Sequence, residues 1–245
     1  KNRRPTHAFR CDPGRFLKML ASRFTSTPQT WRGWFDTLQS REDQRDSEIT
    51  AMASDTGEYV NPVTAVQALE SAMSDDAVMV VDGGDFVATA AYVVKPRAPL
   101  SWLDPGVFGT LGVGGGFALG AALKHPGKEV WLIWGDGSSA YSLAEFDTFL
   151  RHQLPVIAVV GTDASWAQIA REQVEMLGSA CGTELRRTEY HKVAEGYGGK
   201  GILVESSDEL DAAFKQAKSW RDEGFPVLIN IQLSASDFRK GSISM

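Results

Sequence analysis

Five short, unbroken apolar runs, at 77–81, 130–134, 156–160, 201–204 and 227–232, constrain this chain more than any other feature. A strand with one wet face alternates polar and apolar residues. A strand that is apolar throughout is covered on both faces, as in a parallel sheet flanked by helices. Helical patterns separate the runs, over 111–124, 139–152, 190–197 and 207–223. Ahead of the first run, Asn61-Pro62 reads as an N-cap with proline at the first helical position, opening a helix over 63–73. The expectation is an α/β fold over 56–232: a doubly wound, mainly parallel sheet with helices on both faces.

Residues 1–55 read differently. Phe16, Leu17, Leu20 and Phe24 recur at helical spacing after Pro13-Gly14, which predicts a short amphipathic helix. Trp31, Trp34 and Phe35 then precede a charged stretch holding Arg41, Glu42, Asp43, Arg45, Asp46 and Glu48. That pattern predicts a solvated helix with an aromatic anchor, a linker between domains. The chain opens at Lys1 with neither an initiator Met nor a signal-peptide pattern, so a fragment is the expectation here.

Composition narrows the function classes. A net charge of −6 on 245 residues argues against a nucleic-acid partner, which needs clustered Lys and Arg. Hydrophobic residues at 43% and charged residues at 23% are the balance of a globular protein, not of a disordered chain or a coiled coil. No apolar run approaches the ~18 residues of a membrane span. Cys11 and Cys181 make neither a CxxC pair nor a disulfide framework.

Ligands of an open α/β sheet bind beyond the carboxyl ends of its strands. Two such ends carry an acid beside glycine: Asp136 in Gly135-Asp136-Gly137, and Asp163 in Gly161-Thr162-Asp163. One strand–helix–strand unit separates them, so both side chains reach the same sheet edge. Mg²⁺ takes about six oxygens, commonly one or two carboxylates plus substrate phosphates. Ser138 and Ser139 follow at a helix start, whose free backbone N–H groups attract anions. A carboxylate beside an anion site repels phosphate unless a cation bridges the two. Together these features point to a Mg²⁺-diphosphate site; without function, Gly-Asp-Gly is simply a tight strand-to-helix turn.

Other motifs are incomplete. Gly112-Val113-Gly114-Gly115-Gly116-Phe117 lacks the third glycine of a dinucleotide fingerprint and follows no apolar run, and there is no P-loop pattern. His7, His125, His152 and His191 form no HExxH pair. The rival from another class is a serine hydrolase, with Ser139 on its strand-to-helix turn and His191 as the base. A GxSxG elbow would need glycine where Tyr141 stands.

The segment from Gly135 to Trp166, GDGSSAYSLAEFDTFLRHQLPVIAVVGTDASW, resembles the motif of the thiamine diphosphate (ThDP) enzymes: GDG, about two dozen residues, then NN at the end of the next strand. Phe108 to Gly114, FGTLGVG, is similar to the FGTMGVG segment of their 2-hydroxyacyl-CoA lyases. VVDGGDFVATAA at 80–91 is similar to the strand end that contacts the diphosphate. The run from Ser101 to Ala121 and the ending DFRKGSIS look most like the acetolactate-synthase-like branch, which includes a 2-hydroxyacyl-CoA lyase. The resemblance covers 56–245 as the diphosphate-binding domain with a C-terminal tail. Residues 1–55 look like the end of the family's central domain plus its helical linker.

The resemblance implies roles residue by residue. Asp136 would be the first Mg²⁺ ligand, Asp163 would stand where the second Asn of NN coordinates, and the backbone carbonyl of Ser165 would be the third ligand. Gly84, Asp85, Thr110, Gly135, Gly137, Ser138 and Ser139 would lie at the cofactor. Leu111 replaces the Met that props the cofactor in its bent form, a steric task that a Leu of similar volume can perform; otherwise it is an ordinary core leucine. Trp166 either shapes a substrate pocket or packs. The departure from pattern is Thr162-Asp163 in place of NN, which gives two carboxylates rather than a carboxylate and an amide. The cation should then bind at least as well, with added negative charge beside the diphosphate.

The resemblance further implies a carbon–carbon lyase that splits a 2-hydroxyacyl-CoA into a shorter aldehyde and formyl-CoA. The alternatives are an acetolactate-synthase-like carboligase or decarboxylase of 2-oxo acids and a non-catalytic ThDP-binding module. The glutamate that starts proton transfer on the cofactor's pyrimidine ring would come from the pyrimidine-binding domain of a second subunit, in a homodimer or homotetramer. No segment here resembles that domain, so the chain alone is expected to be an incomplete site. The tail 237–245, with Arg239 and Lys240, would be either a lid or a frayed end. Ile243-Ser244-Met245 does not match an SKL-type peroxisomal ending. The branch includes members held at the endoplasmic reticulum membrane, and a cytoplasmic location is the other expectation.

Overall fold

The computed structural model describes residues 3–26, 29–54, 57–236 and 238–239. They fall into two compact units, Lys1–Glu48 and Ile49–Met245. In the first, helix α1 (Pro13–Ala21) starts where the sequence places it: Asp12 Oδ1 accepts a hydrogen bond from Arg15 N at 2.7 Å, and Pro13 occupies the first position. Phe24 lies beyond its end. Helix α2 (Arg32–Met52) carries the charge run and continues past Glu48 into the second unit. Trp34 and Phe35 are 59% and 53% exposed, so the expected aromatic anchor has no seat among the described residues. A sequence shows which side chains are apolar, not what covers them. The tail residues Asp237 and Lys240 to Met245, read above as a lid or a frayed end, lie outside the described residues.

In the second unit the chain runs α3 (Pro62–Ala72), β1 (Val78–Asp82), α4 (Asp85–Val93), β2 (Trp102–Leu103), α5 (Gly114–Lys124) and β3 (Val130–Gly135). It continues α6 (Asp136–Ser142), α7 (Glu145–Arg151), β4 (Ile157–Thr162), α8 (Ala167–Leu177), α9 (Tyr190–Gly196), β5 (Lys200–Val204), α10 (Leu210–Asp222) and β6 (Val227–Gln232). Asn61 caps α3, its Oδ1 accepting from Val63 N at 2.8 Å. The six strands form one parallel sheet in the order β2-β1-β3-β4-β6-β5. All five expected strands are present.

Both faces of that sheet are buried, which is why its strands read as continuous apolar runs. Met79, Val81, Trp131, Ile133, Ile157, Val159, Ile229 and Ile231 face a core completed by α3, α4 and α10. Val78, Val80, Leu132, Trp134, Ala158, Val160 and Leu228 face the other, completed by α5, α7 and α9. Each large aliphatic side chain so covered contributes about 1.5–3 kcal/mol, enough to set the strand register against any alternative.

Four elements depart from the sequence reading. The expected helix 139–152 is two helices, because Phe146 N and Asp147 N donate three residues back, to Leu143 O and Ala144 O, and tighten the turn between them. The expected helix 111–124 begins only at Gly114, since Gly112 sits at φ +89°. Strand β2 has two residues, and α8 buries none, so neither leaves the pattern a longer buried element would. The chain leaves β1 outward to β2 and then returns to β3 on the other side of β1. The crevice between the ends of β1 and β3 is thus a switch point, the place where such sheets hold ligands.

Candidate metal and cofactor site

The ends of β1 and β3 meet backbone to backbone. Gly135 N donates to Gly83 O at 3.0 Å. Gly83 and Gly84 adopt φ +60° and +95°, and a Cβ on Gly84 would stand 3.0 Å from Gly135 Cα. Side chains here would wedge the two strand ends apart. The hydroxyl of Ser138 donates to the Asp82 carbonyl, with the Gly135 carbonyl 3.0 Å away, and so ties the two ends together. Ser139 Oγ donates to Asp136 O at 2.7 Å. Both serines are fully buried, each hydroxyl donating to a backbone carbonyl.

Asp82 is a site residue that the sequence reading passed over. Its buried carboxylate accepts from Gly112 N at 3.0 Å and Gly114 N at 2.8 Å, fixing the loop that carries Thr110 and Leu111. Burial raises its pKa against the pull of those two N–H groups. Leu111 is half-buried, and its Cδ2 fills the space where a Cβ on Gly83 would be, so it belongs to the crevice wall rather than to either core cluster. Thr110 is exposed beside it. The acid at the end of an apolar run was the available signal.

The two acids at the next strand ends stand together. Asp136 is buried; its Oδ1 accepts from Gly137 N and its Oδ2 from Ala164 N, each at 2.8 Å. Burial, outweighing these N–H groups, raises its pKa from 3.8 to about 6. Asp163 Oδ1 accepts from Ser165 N at 3.1 Å. Burial, then the negative charge of Asp136, raises its pKa from 3.8 to about 7, with Arg187 offsetting part of the effect. Ala164 makes the geometry possible. It sits at φ +59°, a left-handed conformation costing an L-residue roughly 1–2 kcal/mol, and in it the N–H turns onto Asp136.

Asp85 opens α4 on the far side of Gly84. Its Oδ2 pairs with Arg171 Nη2 of α8 at 2.8 Å, while its buried Oδ1 has no hydrogen-bond partner among the described residues. The pair lines a cleft of about 210 Å³ with Thr89, Asp163, Ser165 and Ser236. Trp166 lies against Gly137, where a Cβ would come within 2.5–2.7 Å of three ring atoms, so its indole backs the Gly-Asp-Gly turn. No hydrogen bond joins Ser139 to His191 among the described residues: Ser139 Oγ donates to Asp136 O, and His191 Nδ1 is paired with Asn230 Nδ2 at 3.5 Å. The hydrolase reading thereby loses its base.

These residues fit a divalent cation with a diphosphate. Two carboxylates that hinder each other's ionisation gain from a 2+ charge between them. Among the described residues no group of three or more His, Cys, Asp or Glu gathers to enclose a metal. Such a site suits Mg²⁺, whose remaining oxygens come from water and a phosphate ligand.

Comparison with known proteins identifies the family. Residues 82–231 match the family model described as thiamine pyrophosphate enzyme, C-terminal TPP binding domain. The chain is 46% identical over 246 residues to 2-hydroxyacyl-CoA lyase 2 of Bos taurus, covering 99% of this chain and 39% of that protein. It is 34% identical over 202 residues to an acetolactate synthase large subunit of Mycobacterium tuberculosis, covering 82% of this chain and 36% of that one. A Rhodococcus jostii RHA1 thiamine diphosphate-dependent 4-hydroxybenzoylformate decarboxylase superposes with a TM-score of 0.68, over 75% of this chain and 34% of that one. At 23% identity, that likeness speaks to the fold alone. The chain spans 39% of the length of the lyase relatives it matches. It belongs to the thiamine diphosphate-dependent enzymes, as a C-terminal ThDP-binding domain of the acetolactate synthase and 2-hydroxyacyl-CoA lyase branch.

Proposed function

We propose that this chain is the diphosphate- and Mg²⁺-binding half of a 2-hydroxyacyl-CoA lyase that yields an aldehyde and formyl-CoA. The observation that carries the reading is the paired, hard-to-ionise carboxylates of Asp136 and Asp163 at adjacent parallel strand ends, beside the first turn of α6. Asp136 and Asp163 would hold the cation with the Ser165 carbonyl, and the glycine ends of β1 and β3 would admit the diphosphate. Leu111 would support the cofactor from the loop that Asp82 fixes. ThDP, when bound, supplies the electron sink that carbon–carbon cleavage needs. The substrate class rests on 46–47% identity to lyases over 99% of this chain.

The pyrimidine-binding domain of a second subunit would complete the site, in a homodimer or homotetramer. Val107 and Phe108, 97% and 89% exposed, stand on the loop just before Thr110 and Leu111 and support a cover on that rim. The acetolactate synthase relatives favour a second reading, a carboligase of 2-oxo acids. Product analysis separates the two. With Mg²⁺ and ThDP, the longer polypeptide or complex that contains this domain should release formyl-CoA from a 2-hydroxyacyl-CoA, and the 245-residue chain alone should release none. Acetolactate from pyruvate, with no formyl-CoA, would select the second reading. Turnover by the isolated chain would refute the half-site account.

A further inference from the structure

Two side chains outside β4 hold its last residue. Thr162 is fully buried, and its Oγ1 donates to Asn230 Oδ1 on the neighbouring β6 at 2.6 Å. Asn230, equally buried, is itself held by a bond from its Nδ2 to Thr188 O at 3.0 Å. At the other end of the residue, the Thr162 carbonyl accepts from Arg187 Nη1 at 2.8 Å and from Leu233 N at 2.9 Å. The same guanidinium reaches Gln232 Oε1 at 2.9 Å and Leu233 O at 3.0 Å, and its Cζ lies 3.9 Å from the centre of the Tyr59 ring. One planar fork thus spans three acceptors on two strand ends and stacks on an aromatic face, which a lysine ammonium cannot reproduce.

The segment bearing Arg187 is itself laced to the loop after β4. Trp166 N donates to Thr183 O, and Leu185 N to Ala164 O, each at 2.8 Å; Ser165 and Glu184 form an antiparallel bridge. This strap therefore grips the residues on both sides of Asp163: Thr162 before it, and Ala164 to Trp166 after it. Asp163 itself meets solvent and the cleft.

We propose that Arg187 is a positioning residue for the cation site, clamping the Thr162 carbonyl to the end of β6 so that Asp163 stands where it can share a cation with Asp136. Asn230 secures the same residue from its side-chain end. The inference rests on the cation-site reading above and deepens it, by naming what holds the second ligand still. Groups that orient metal ligands from behind commonly cost 10–100-fold in metal affinity when altered.

Charge and position predict opposite effects, which makes the proposal testable. Removing a positive charge near two carboxylates should by itself strengthen cation binding, whereas releasing Thr162 should weaken it. The test is Mn²⁺ binding read by electron paramagnetic resonance in the presence of ThDP, on the 245-residue chain and on Arg187→Lys and Arg187→Gln. Thermal melting establishes that each variant is folded, and the lysine variant keeps the charge should the glutamine variant not fold. The proposal expects both variants to bind Mn²⁺ at least about tenfold more weakly, with lysine giving no rescue. Wild-type affinity in Arg187→Lys, or tighter binding in Arg187→Gln, would overturn it. If the wild-type chain binds no Mn²⁺ that Asp136→Ala abolishes, the cation-site reading itself falls, and the inference with it.

Discussion

At the scale of single residues, the site keeps two acids whose ionisation burial opposes, and for Asp163 the neighbouring negative charge opposes it as well. Asp136 and Asp163 titrate at about 6 and about 7, against 3.8 for an ordinary aspartate. Between about pH 4 and pH 7 the folded chain therefore holds more protons at these two groups than the unfolded chain does, and their contribution to stability falls as pH rises. Above about pH 7 both are ionised in either state, and the penalty is constant. Asp163→Asn removes one acid and relieves the other. Its stability advantage over the wild type, measured by urea unfolding without metal, should grow between pH 4.5 and pH 7.5 by on the order of 2 kcal/mol. Mg²⁺ with ThDP should close that gap. An advantage independent of pH would show that the two carboxylates do not repel in the folded chain. The acids were legible in the sequence because each ends an apolar run beside glycine. Ala164 and Arg187 were not: a left-handed alanine carries no sequence signature, and an arginine 24 positions beyond Asp163 reads as any surface charge.

At the scale of elements, burial on both faces made β1, β3, β4, β5 and β6 readable, and a proline-led cap located α3. What escaped were elements whose stability comes from context. Helix α8 buries no residue, β2 has two, and the break between α6 and α7 arises from two tightened hydrogen bonds that no periodicity announces. The Gly-Asp-Gly turn shows how tertiary contact overrides propensity. Alanine at a helical glycine ordinarily stabilises by about 0.5–1 kcal/mol. Gly116, on α5 with nothing within 4 Å of its missing Cβ, should follow that rule. Gly137→Ala should instead lower stability by roughly 1–3 kcal/mol, because its Cβ meets the Trp166 ring at 2.5–2.7 Å. Thermal melts of the two variants should move in opposite directions. Equal upward shifts would mean that Trp166 does not back the turn.

At the scale of the whole molecule, the parallel sheet brings Asp82, Asp136 and Asp163 to the ends of three adjacent strands, and each does different work. Asp82 fixes the loop of Leu111, Asp136 and Asp163 stand just beyond the neighbouring ends of β3 and β4, and the backbone between β1 and β3 is stripped of side chains by glycine. On the proposed reading this is half of a catalytic site, with places for a cation and a diphosphate and with the large apolar residues Val107 and Phe108 exposed on its rim. On that reading, Thr162-Asp163 in place of the amide pair that the resemblance implies should make cofactor binding depend more strongly on the metal. The most direct test is calorimetric titration of the 245-residue chain with ThDP, with and without Mg²⁺, alongside Asp136→Ala and Asp163→Ala. The account predicts binding that requires Mg²⁺ and is lost in both variants. ThDP binding that persists without Mg²⁺, or that survives both substitutions, would contradict it.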